Sequence, residues 1–280
     1  ISREGMAYTA KGELLFFSGS VAVLMNQKLR TQKFYNQHVS TITAMAVNKV
    51  HDLAATGDHG EAASIRIWSV ETMETVAVLE GFSRRSIAHL KFSADGAKLV
   101  SVSQDKFHTI AVYDWRNKQI LCHSESFEQK SLYIDFNANS NGLIHCGNEI
   151  IRFWQMDGKN MSYTDAIFGS RAKLQGFLCS GWIGSNAVIG TIDGSLYRFI
   201  GNALDSIVLA HAGAVNAIAP SSDGLCTAGA DGYVKIWTRF LECRLVIEMK
   251  MLNAVSGDVR AVDWEVVKRL VIVDCFFFFF

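Results

Sequence analysis

The sequence predicts an all-β fold of the propeller class, in which units of four antiparallel strands, called blades, are repeated. The main observation is a short apolar strand that ends in an aromatic residue and occurs five times. Its last residues are Trp68, Tyr113, Trp154, Phe199 and Trp237, at steps of 45, 41, 45 and 38 residues. A period of about 40–45 residues is typical of four-stranded blades of the WD40 type. The repeat therefore predicts the fold and directs the functional hypotheses towards binding.

The strand pattern around this repeat gives five full blades, numbered two to six, over about residues 42–249. A first, partial blade covers about residues 8–36, with strands at 13–17, 22–25 and 32–35. A seventh, partial blade covers about residues 259–275, with strands at 259–264 and 269–273. We therefore predict a single seven-bladed propeller over residues 1–280 that is incomplete at both termini. The run Phe276–Phe280 is assigned to no blade.

Two further strands and four turns complete the prediction. The last strand of blade four is placed at 164–168, and the first strand of blade five at 174–179. Asp-Gly pairs mark hairpin turns, because glycine adopts positive φ easily and aspartate tolerates it. The pairs are Asp95-Gly96, Asp193-Gly194, Asp223-Gly224 and Asp231-Gly232.

Composition narrows the range of partners. The chain has 27 basic and 27 acidic residues among 280, so no overall field attracts nucleic acid or an anionic membrane. No run of 18 apolar residues occurs, so we expect neither a membrane span nor a membrane partner. No two of the six cysteines form a Cys-x-x-Cys pair, so we expect buried, reduced thiols in a cytoplasmic protein.

Blade six contains the most complete WD-type pattern. His211, Thr227, Asp231 and Trp237 have the residue types and the spacing of a hydrogen-bonded chain that ties a blade together. Aspartate, histidine and a hydroxyl are also the groups of a catalytic triad, but no nucleophile-elbow sequence accompanies them, so the structural interpretation is favoured. The pattern is weaker elsewhere. His38 can pair with Trp68, while blade four has no matching histidine or turn aspartate.

Enzymatic alternatives find little support in the sequence. His51, Asp52, Asp58 and His59 are ligand types for a metal, but they lack the usual His-x₃₋₅-His spacing and flank a strand end and a loop. No glycine-rich phosphate-binding motif is present. We therefore expect a protein without catalytic residues, metal or cofactor.

Three basic groups occupy predicted loops between strands. One interpretation is an ordinary solvated loop, and the other is a local patch that meets an acidic partner surface. The candidate contact residues are Lys28, Arg30 and Lys33, then Arg84 with Arg85, then Arg116 with Lys118.

The first predicted blade has more specific sequence features than a generic WD repeat. It resembles the corresponding segment of the EMAP-like family, the echinoderm microtubule-associated protein-like proteins. The similarity extends from Tyr8 to about Val273, and its most discriminating part is the first-blade string. The segments that carry it are residues 8–17, 21–26 and 33–38, then 54–57, 99–102, 112–115 and 145–147, then 210–213 and 227–232.

This resemblance implies a non-catalytic, microtubule-associated protein with two tandem propellers preceded by a hydrophobic HELP motif. The chain would form most of the first propeller. Expected partners are tubulin or microtubules and other cytoskeletal or axonemal proteins, with the cytoskeleton or a ciliary axoneme as the location. Two alternatives stay open because a fold does not fix a function. One is a WD-repeat adaptor, such as a ubiquitin-ligase substrate receptor or a trafficking coat, and the other is an enzymatic propeller.

Overall fold

The computed structural model describes residues 5–83, 85–221, 223–249, 261–265 and 269–273. Within these ranges the regular structure consists of 26 β-strands, numbered β1 to β26 in chain order. The chain divides into two compact units. Unit 1 comprises residues 1–142 and 155–162, and unit 2 comprises residues 143–154 and 163–280.

The first sheet of unit 1 has four antiparallel strands in the order β1-β2-β3-β4. Their bounds are Met6–Tyr8, Leu14–Ser18, Val21–Asn26 and Thr31–Tyr35. The last three agree with the predicted strands of blade one, whereas β1 was not predicted. It has three residues, which is too short for alternation of apolar and polar side chains to be recognised. Its pairing with β2, from Met6 opposite Phe16 to Tyr8 opposite Leu14, completes the sheet.

The second sheet of unit 1 contains eight strands and joins the predicted blades two and three. Strand β6 extends to Gly60, so that its last residues pair with the start of β9, His59 opposite Ser86 and Gly60 opposite Arg85. The strands are Ile42–Asn48, Leu53–Gly60, Ile65–Ser69 and Thr75–Leu79 (β5 to β8), then Arg85–Phe92, Lys98–Ser103, Ile110–Asp114 and Gln119–Ser124 (β9 to β12).

The division between the two units passes through the strands of the predicted fourth blade. These strands are Ser131–Phe136, Gly142–Gly147, Ile151–Asp157 and Asn160–Asp165 (β13 to β16). The predicted last strand, 164–168, was placed too late. Strand β15 continues to Asp157 and Gly158 turns the chain at φ 58°, so β16 starts at Asn160. The Asp-Gly pair at this turn was not recognised in the sequence.

Unit 2 contains two four-stranded sheets and a hairpin. The predicted first strand of blade five, 174–179, starts at Phe177 in the structure and continues to Ile183, where Gly184 turns at φ 61°. Residues Phe276–Phe280 lie outside the described part of the chain. The strands are Phe177–Ile183, Asn186–Thr191, Ser195–Ile200 and Ala203–Leu209 (β17 to β20), Val215–Ser221, Gly224–Gly229, Tyr233–Thr238 and Cys243–Glu248 (β21 to β24), and Ala261–Glu265 with Arg269–Val273 (β25 and β26).

Aromatic packing fixes the first sheet of unit 1 against the second. Tyr35, at the end of β4, stacks on Trp68 of β7 with ring centroids 4.5 Å apart and an angle of 7° between the planes. Both side chains are fully buried, and the Tyr35 hydroxyl lies 2.6 Å from Thr75 Oγ1. Aromatic pairs of this kind add to the stabilisation from buried area. Strand β4 is therefore held firmly at its inner end.

The hairpin turns of unit 1 form one continuous edge. In an up-and-down antiparallel sheet, the turn between the first two strands and the turn between the last two lie at the same end. Contacts between turns confirm the arrangement across both sheets, because Lys11 Nζ of the β1–β2 turn lies 3.0 Å from Asp52 Oδ2 and 3.3 Å from Glu71 Oε2. We call this the hairpin edge. It consists of the turns β1–β2, β3–β4, β5–β6, β7–β8, β9–β10 and β11–β12.

Gly96 is the most constrained glycine of the hairpin edge. Its φ is 68°, and its carbonyl accepts hydrogen bonds from Asn48 Nδ2 and Trp115 Nε1, each at 2.9 Å. A Cβ at this position would lie 2.5 Å from Asn48 Oδ1. The Asp95-Gly96 turn thus needs glycine both for its φ and for the close approach of its neighbour.

Candidate functional site

A buried hydrogen-bonded chain runs through the second four-stranded sheet of unit 2, β21 to β24. His211 Nδ1 lies 2.9 Å from Asp231 Oδ1, and His211 Nε2 lies 2.8 Å from Thr227 Oγ1. Trp237 Nε1 donates to the same Thr227 oxygen at 2.8 Å. Asp231 also accepts from the backbone nitrogen of Ala212 at 2.9 Å. The structure therefore brings together the four residues that the sequence analysis selected in blade six.

A second chain of the same composition lies in unit 1. His38 Nδ1 is 2.9 Å from Asp58 Oδ2, and His38 Nε2 is 2.7 Å from Thr56 Oγ1, which also accepts from Trp68 Nε1 at 3.1 Å. The sequence analysis paired only His38 with Trp68. The interval from histidine to aspartate is 20 residues in both chains, and this signal would have identified Asp58.

The donors and acceptors fix the direction of both chains. A carboxylate can only accept, so the histidine Nδ1–H donates to aspartate; an indole N–H can only donate, so threonine accepts it and donates its own hydrogen to Nε2. Burial lowers the pKa of His38 and His211, and the facing carboxylates offset only part of this effect. Both imidazoles are therefore neutral at pH 7.

This arrangement holds strands together and offers no accessible nucleophile. The order Asp231, His211, Thr227 repeats that of a catalytic triad. However, Thr227 has no exposed surface and its oxygen is occupied by Trp237. Gly229 packs directly against the pair, since a Cβ there would lie 2.3 Å from His211 Nδ1.

Blades four and five depart from this pattern. In blade five Gln175 takes the place of histidine: its Nε2 donates to the Tyr197 hydroxyl at 3.3 Å and its Oε1 accepts from the Asp193 backbone nitrogen at 3.0 Å. Burial acts to raise the pKa of Asp193, but hydrogen bonds from Thr191, Gln175 and Ser195 lower it overall. In blade four, Trp154 Nε1 is buried with no hydrogen-bond partner in the described residues.

The residues considered as metal ligands are engaged separately. Asp58 belongs to the His38 chain, and His59 Nδ1 lies 3.1 Å from Ser86 Oγ. His51 Nε2 lies 2.6 Å from an Arg116 nitrogen, and Asp52 pairs with Lys11. No group of three or more histidine, cysteine, aspartate or glutamate side chains suited to a metal occurs in the part of the chain that the structure describes.

None of the cysteines within the described ranges forms a disulfide bond. Cys122, Cys146, Cys179 and Cys226 are buried, and burial raises the pKa of Cys226 to about 12, which makes that thiol unreactive. Cys243 differs from the expectation of buried thiols, because the outer strand β24 leaves it exposed. No helix in the described residues has the length and apolar character to cross a bilayer.

Two of the three predicted basic groups lie on the hairpin edge of unit 1. Lys28 and Arg30 are exposed in the β3–β4 turn, and Lys33 is exposed on β4, where its Nζ donates to the Glu71 carbonyl at 3.0 Å. Arg116 and Lys118 are exposed in the β11–β12 turn.

The Arg116 guanidinium lies 4.3 Å from the centre of the Trp115 ring. The remaining candidates, Arg84 and Arg85, do not belong to the hairpin-edge group. Arg85 starts β9 and so lies at the opposite end of the sheet, with φ 87°. Arg84 is outside the described residues. The sequence could not show this separation, because the end of the sheet at which a loop lies depends on the strand order.

The fold and these buried chains define the class of the protein, a WD-type β-propeller. A family model described as the echinoderm microtubule-associated protein first β-propeller matches residues 31–273. The chain belongs to this family. The number of blades stays a prediction, as does the assignment of all 280 residues to one propeller.

Individual relatives agree with the family match. The chain is 30% identical over 266 residues to the 77 kDa echinoderm microtubule-associated protein of Strongylocentrotus purpuratus, covering 89% of this chain and 38% of the relative. It is 29% identical over 243 residues to the Lytechinus variegatus protein of the same name, covering 81% and 37%. It is 30% identical over 244 residues to echinoderm microtubule-associated protein-like 2 of Rattus norvegicus, covering 81% and 38%. The chain thus spans less than two fifths of the length of these relatives.

Proposed function

We propose that this protein is a non-catalytic, microtubule-associated scaffold that binds tubulin through loops of its propeller. The observation that carries the proposal is the family match over residues 31–273, together with relatives that are named for microtubule association. The cytoskeleton is the corresponding location, and a ciliary axoneme is the more specific expectation. Other axonemal proteins are further candidate partners, whereas nucleic acid and membrane are not.

The hairpin edge supplies a mechanism for this binding. Five exposed cations project from two of its turns and the adjoining strand, so a protein with no net charge still presents a local basic surface. Such a surface attracts an acidic partner and orients it during encounter. The five residues are Lys28, Arg30, Lys33, Arg116 and Lys118.

Co-sedimentation with taxol-stabilised microtubules across a salt series tests the proposal. We expect pelleting that weakens as salt rises, because exposed charges are screened beyond about 8–10 Å at 0.10–0.15 M salt. Absence of pelleting at low salt, for this chain and for a longer protein that contains it, would contradict microtubule association. A different partner recovered in place of tubulin would then favour the adaptor alternative.

A further inference from the structure

The outer strand of the first sheet is an open edge. Strand β4 pairs with β3 from Asn26 opposite Thr31 to Ala22 opposite Tyr35, and with no other strand in the described residues. In an antiparallel pair every second residue directs its N–H and C=O away from the partner strand. Half of the backbone groups of β4 therefore face outward, and an open edge of this kind is a template for pairing with another segment.

The side chains of β4 and of the turn before it are exposed and carry one sign of charge. Every residue from 27 to 34 is exposed, and no acidic residue occurs between Asn26 and His38. We call residues 27–34, which comprise the β3–β4 turn and the first four residues of β4, the basic edge strand. Of its three cations, Lys28 and Arg30 lie in the turn and Lys33 lies on β4.

No carboxylate neutralises these cations within the described part of the chain. Lys33 contacts the backbone carbonyl of Glu71, whereas the Glu71 carboxylate is paired with Lys11. The neighbouring outer strand β8 differs, because Glu71, Glu74 and Glu80 flank it. Of the two outer strands β4 and β8, only β4 and the turn before it carry basic residues without acidic ones.

Apolar side chains accompany the charges. Leu29 is 72% exposed and Phe34 57% exposed. Lys33 and Phe34 are consecutive in a strand and so point to opposite faces of the sheet. A segment that pairs with β4 would therefore meet a cation on one face and an aromatic ring on the other.

The basic edge strand is also preorganised. The stack of Tyr35 on Trp68 holds the end of β4. In the turn before β4, Asn26 Oδ1 accepts a hydrogen bond from the Leu29 backbone nitrogen at 3.0 Å. The backbone of this surface is therefore ordered before a partner binds, which favours binding.

The chain itself provides an example of strand addition on an outer strand. In unit 2 the segment after β16 lies along the start of β20. The Ile167 backbone nitrogen donates to the Asn202 carbonyl at 2.8 Å, and the Ile167 carbonyl accepts from the Leu204 backbone nitrogen at 2.9 Å. The bridge of Ile167 with Ala203 is parallel. An outer strand of this fold can thus accept an extended segment through backbone hydrogen bonds.

We propose that the basic edge strand binds an extended segment of a partner protein, in which acidic and apolar residues alternate, by adding it as a fifth strand beside β4. Backbone hydrogen bonds would supply affinity, and the alternating side chains would supply specificity. The inference goes beyond tubulin binding, because it defines the chemistry and geometry of the bound segment and does not require tubulin to be its source.

Fluorescence anisotropy with a labelled peptide of alternating glutamate and valine, blocked at both ends, tests this proposal. Two N-methylated forms are compared, one modified on the odd and one on the even residues. An added strand pairs along one edge only, so one form should bind as the parent does and the other should lose affinity about tenfold or more. Equal binding of both forms would overturn strand addition. A matched peptide of alternating lysine and valine should not bind.

Variants of the protein locate the contact. Replacing Lys28, Arg30 and Lys33 together by glutamate should weaken peptide binding about tenfold or more, and Phe34→Ser should weaken it as well. The control replaces three exposed cations away from the hairpin edge by glutamate and changes the net charge equally. They are Arg85 at the start of β9, Lys106 in the β10–β11 turn and Lys130 just before β13. Equal loss in the control would overturn the location.

Two further readouts separate this inference from its alternatives. Polyuridylic acid serves as a competitor of the peptide. If it displaces the peptide equally well from the protein and from the Phe34→Ser variant, the basic edge strand is a nucleic-acid surface and the proposal is contradicted. Peptide binding without microtubule pelleting would contradict the proposed function alone, whereas pelleting without peptide binding would contradict this inference alone. Thermal unfolding of each variant confirms that it is folded.

Discussion

At the scale of single residues, the two histidine chains are buried polar contacts in which each carboxylate is paired with an imidazole. Each histidine chain satisfies an aspartate, an imidazole, a hydroxyl and an indole N–H with one another. A buried polar group without a partner costs more than an ordinary hydrogen bond contributes, so the members of a chain depend on each other. Blade four provides a comparison, because Trp154 Nε1 has no hydrogen-bond partner among the residues that the structure describes.

The first prediction compares two tryptophans that differ in this respect. Trp237 and Trp154 are similarly buried, but only Trp237 donates to a threonine. We expect Trp237→Phe to lower the free energy of unfolding by about 1 kcal/mol more than Trp154→Phe, because it removes a hydrogen bond as well as volume. Urea titration of both variants measures the difference. Equal losses would show that the indole N–H contributes nothing to stability.

The second prediction concerns pH. The folded state holds His38 and His211 neutral below the ordinary histidine pKa of 6.5, while the unfolded chain protonates there. Since the unfolded state then binds more protons, the free energy of unfolding should fall as pH drops from 7.5 to about 5.5. In the double variant His38→Asn, His211→Asn this dependence should be shallower. An unchanged slope in urea titrations at several pH values would contradict the assignment.

At the level of strands and turns, glycine positions decide how closely neighbouring hairpins approach. Gly57 of β6 would place a Cβ 2.7 Å from Ile87 Cβ, and Gly190 of β18 would place one 2.6 Å from Cys179 Sγ. Each therefore permits an approach that a side chain would prevent. The Asp-Gly pairs were chosen in the sequence for their turns alone, but Gly96 and Gly194 also sit against neighbouring backbone or side-chain atoms.

The third prediction separates these two roles of glycine. Gly12 and Gly96 have similar φ values, 73° and 68°, but a Cβ on Gly12 would meet nothing within 4 Å. Gly12→Ala should lower the free energy of unfolding by about 1 kcal/mol, because alanine is less stable than glycine at positive φ. Gly96→Ala should lower the free energy of unfolding by about 1–3 kcal/mol more than Gly12→Ala does, because Asn48 must move. Thermal or urea unfolding of both variants gives the comparison, and equal costs would contradict a role for close approach.

At the level of the whole molecule, the arrangement of charge matters more than its total. The net charge is zero, yet the cations predicted as contacts divide between two ends of the sheets. Those on the hairpin edge lie at one end of the strands of unit 1, whereas Arg85 is at the far end of its strand. A partner surface can engage one such group without the other.

The fourth prediction uses this division. Glutamate at positions 28, 30 and 33 should lower the fraction of protein that pellets with microtubules at about 0.1 M salt and flatten its salt dependence. Glutamate at positions 85, 106 and 130 gives the same net charge and should have a smaller effect. If the second variant loses more binding than the first, the docking surface lies away from the hairpin edge.

The family assignment also belongs to this scale. The family match covers residues 31–273, which include the last segment of the first-blade string, 33–38, and every later segment that carries the resemblance. The relatives are more than twice as long as this chain.

Sequence by itself determined the features that depend on local chemistry. Alternating apolar residues, Asp-Gly turns and the aromatic ends of strands predicted the all-β fold and nearly every strand, and the spacing of His211, Asp231 and Trp237 predicted their association. Tertiary structure decided what depends on approach across the sheets: the pairing of β6 with β9, the place of Gln175 among the buried contacts of blade five, and the division of the cations between two ends. These contacts join residues far apart in the chain, and their energies depend on distances that no local pattern encodes.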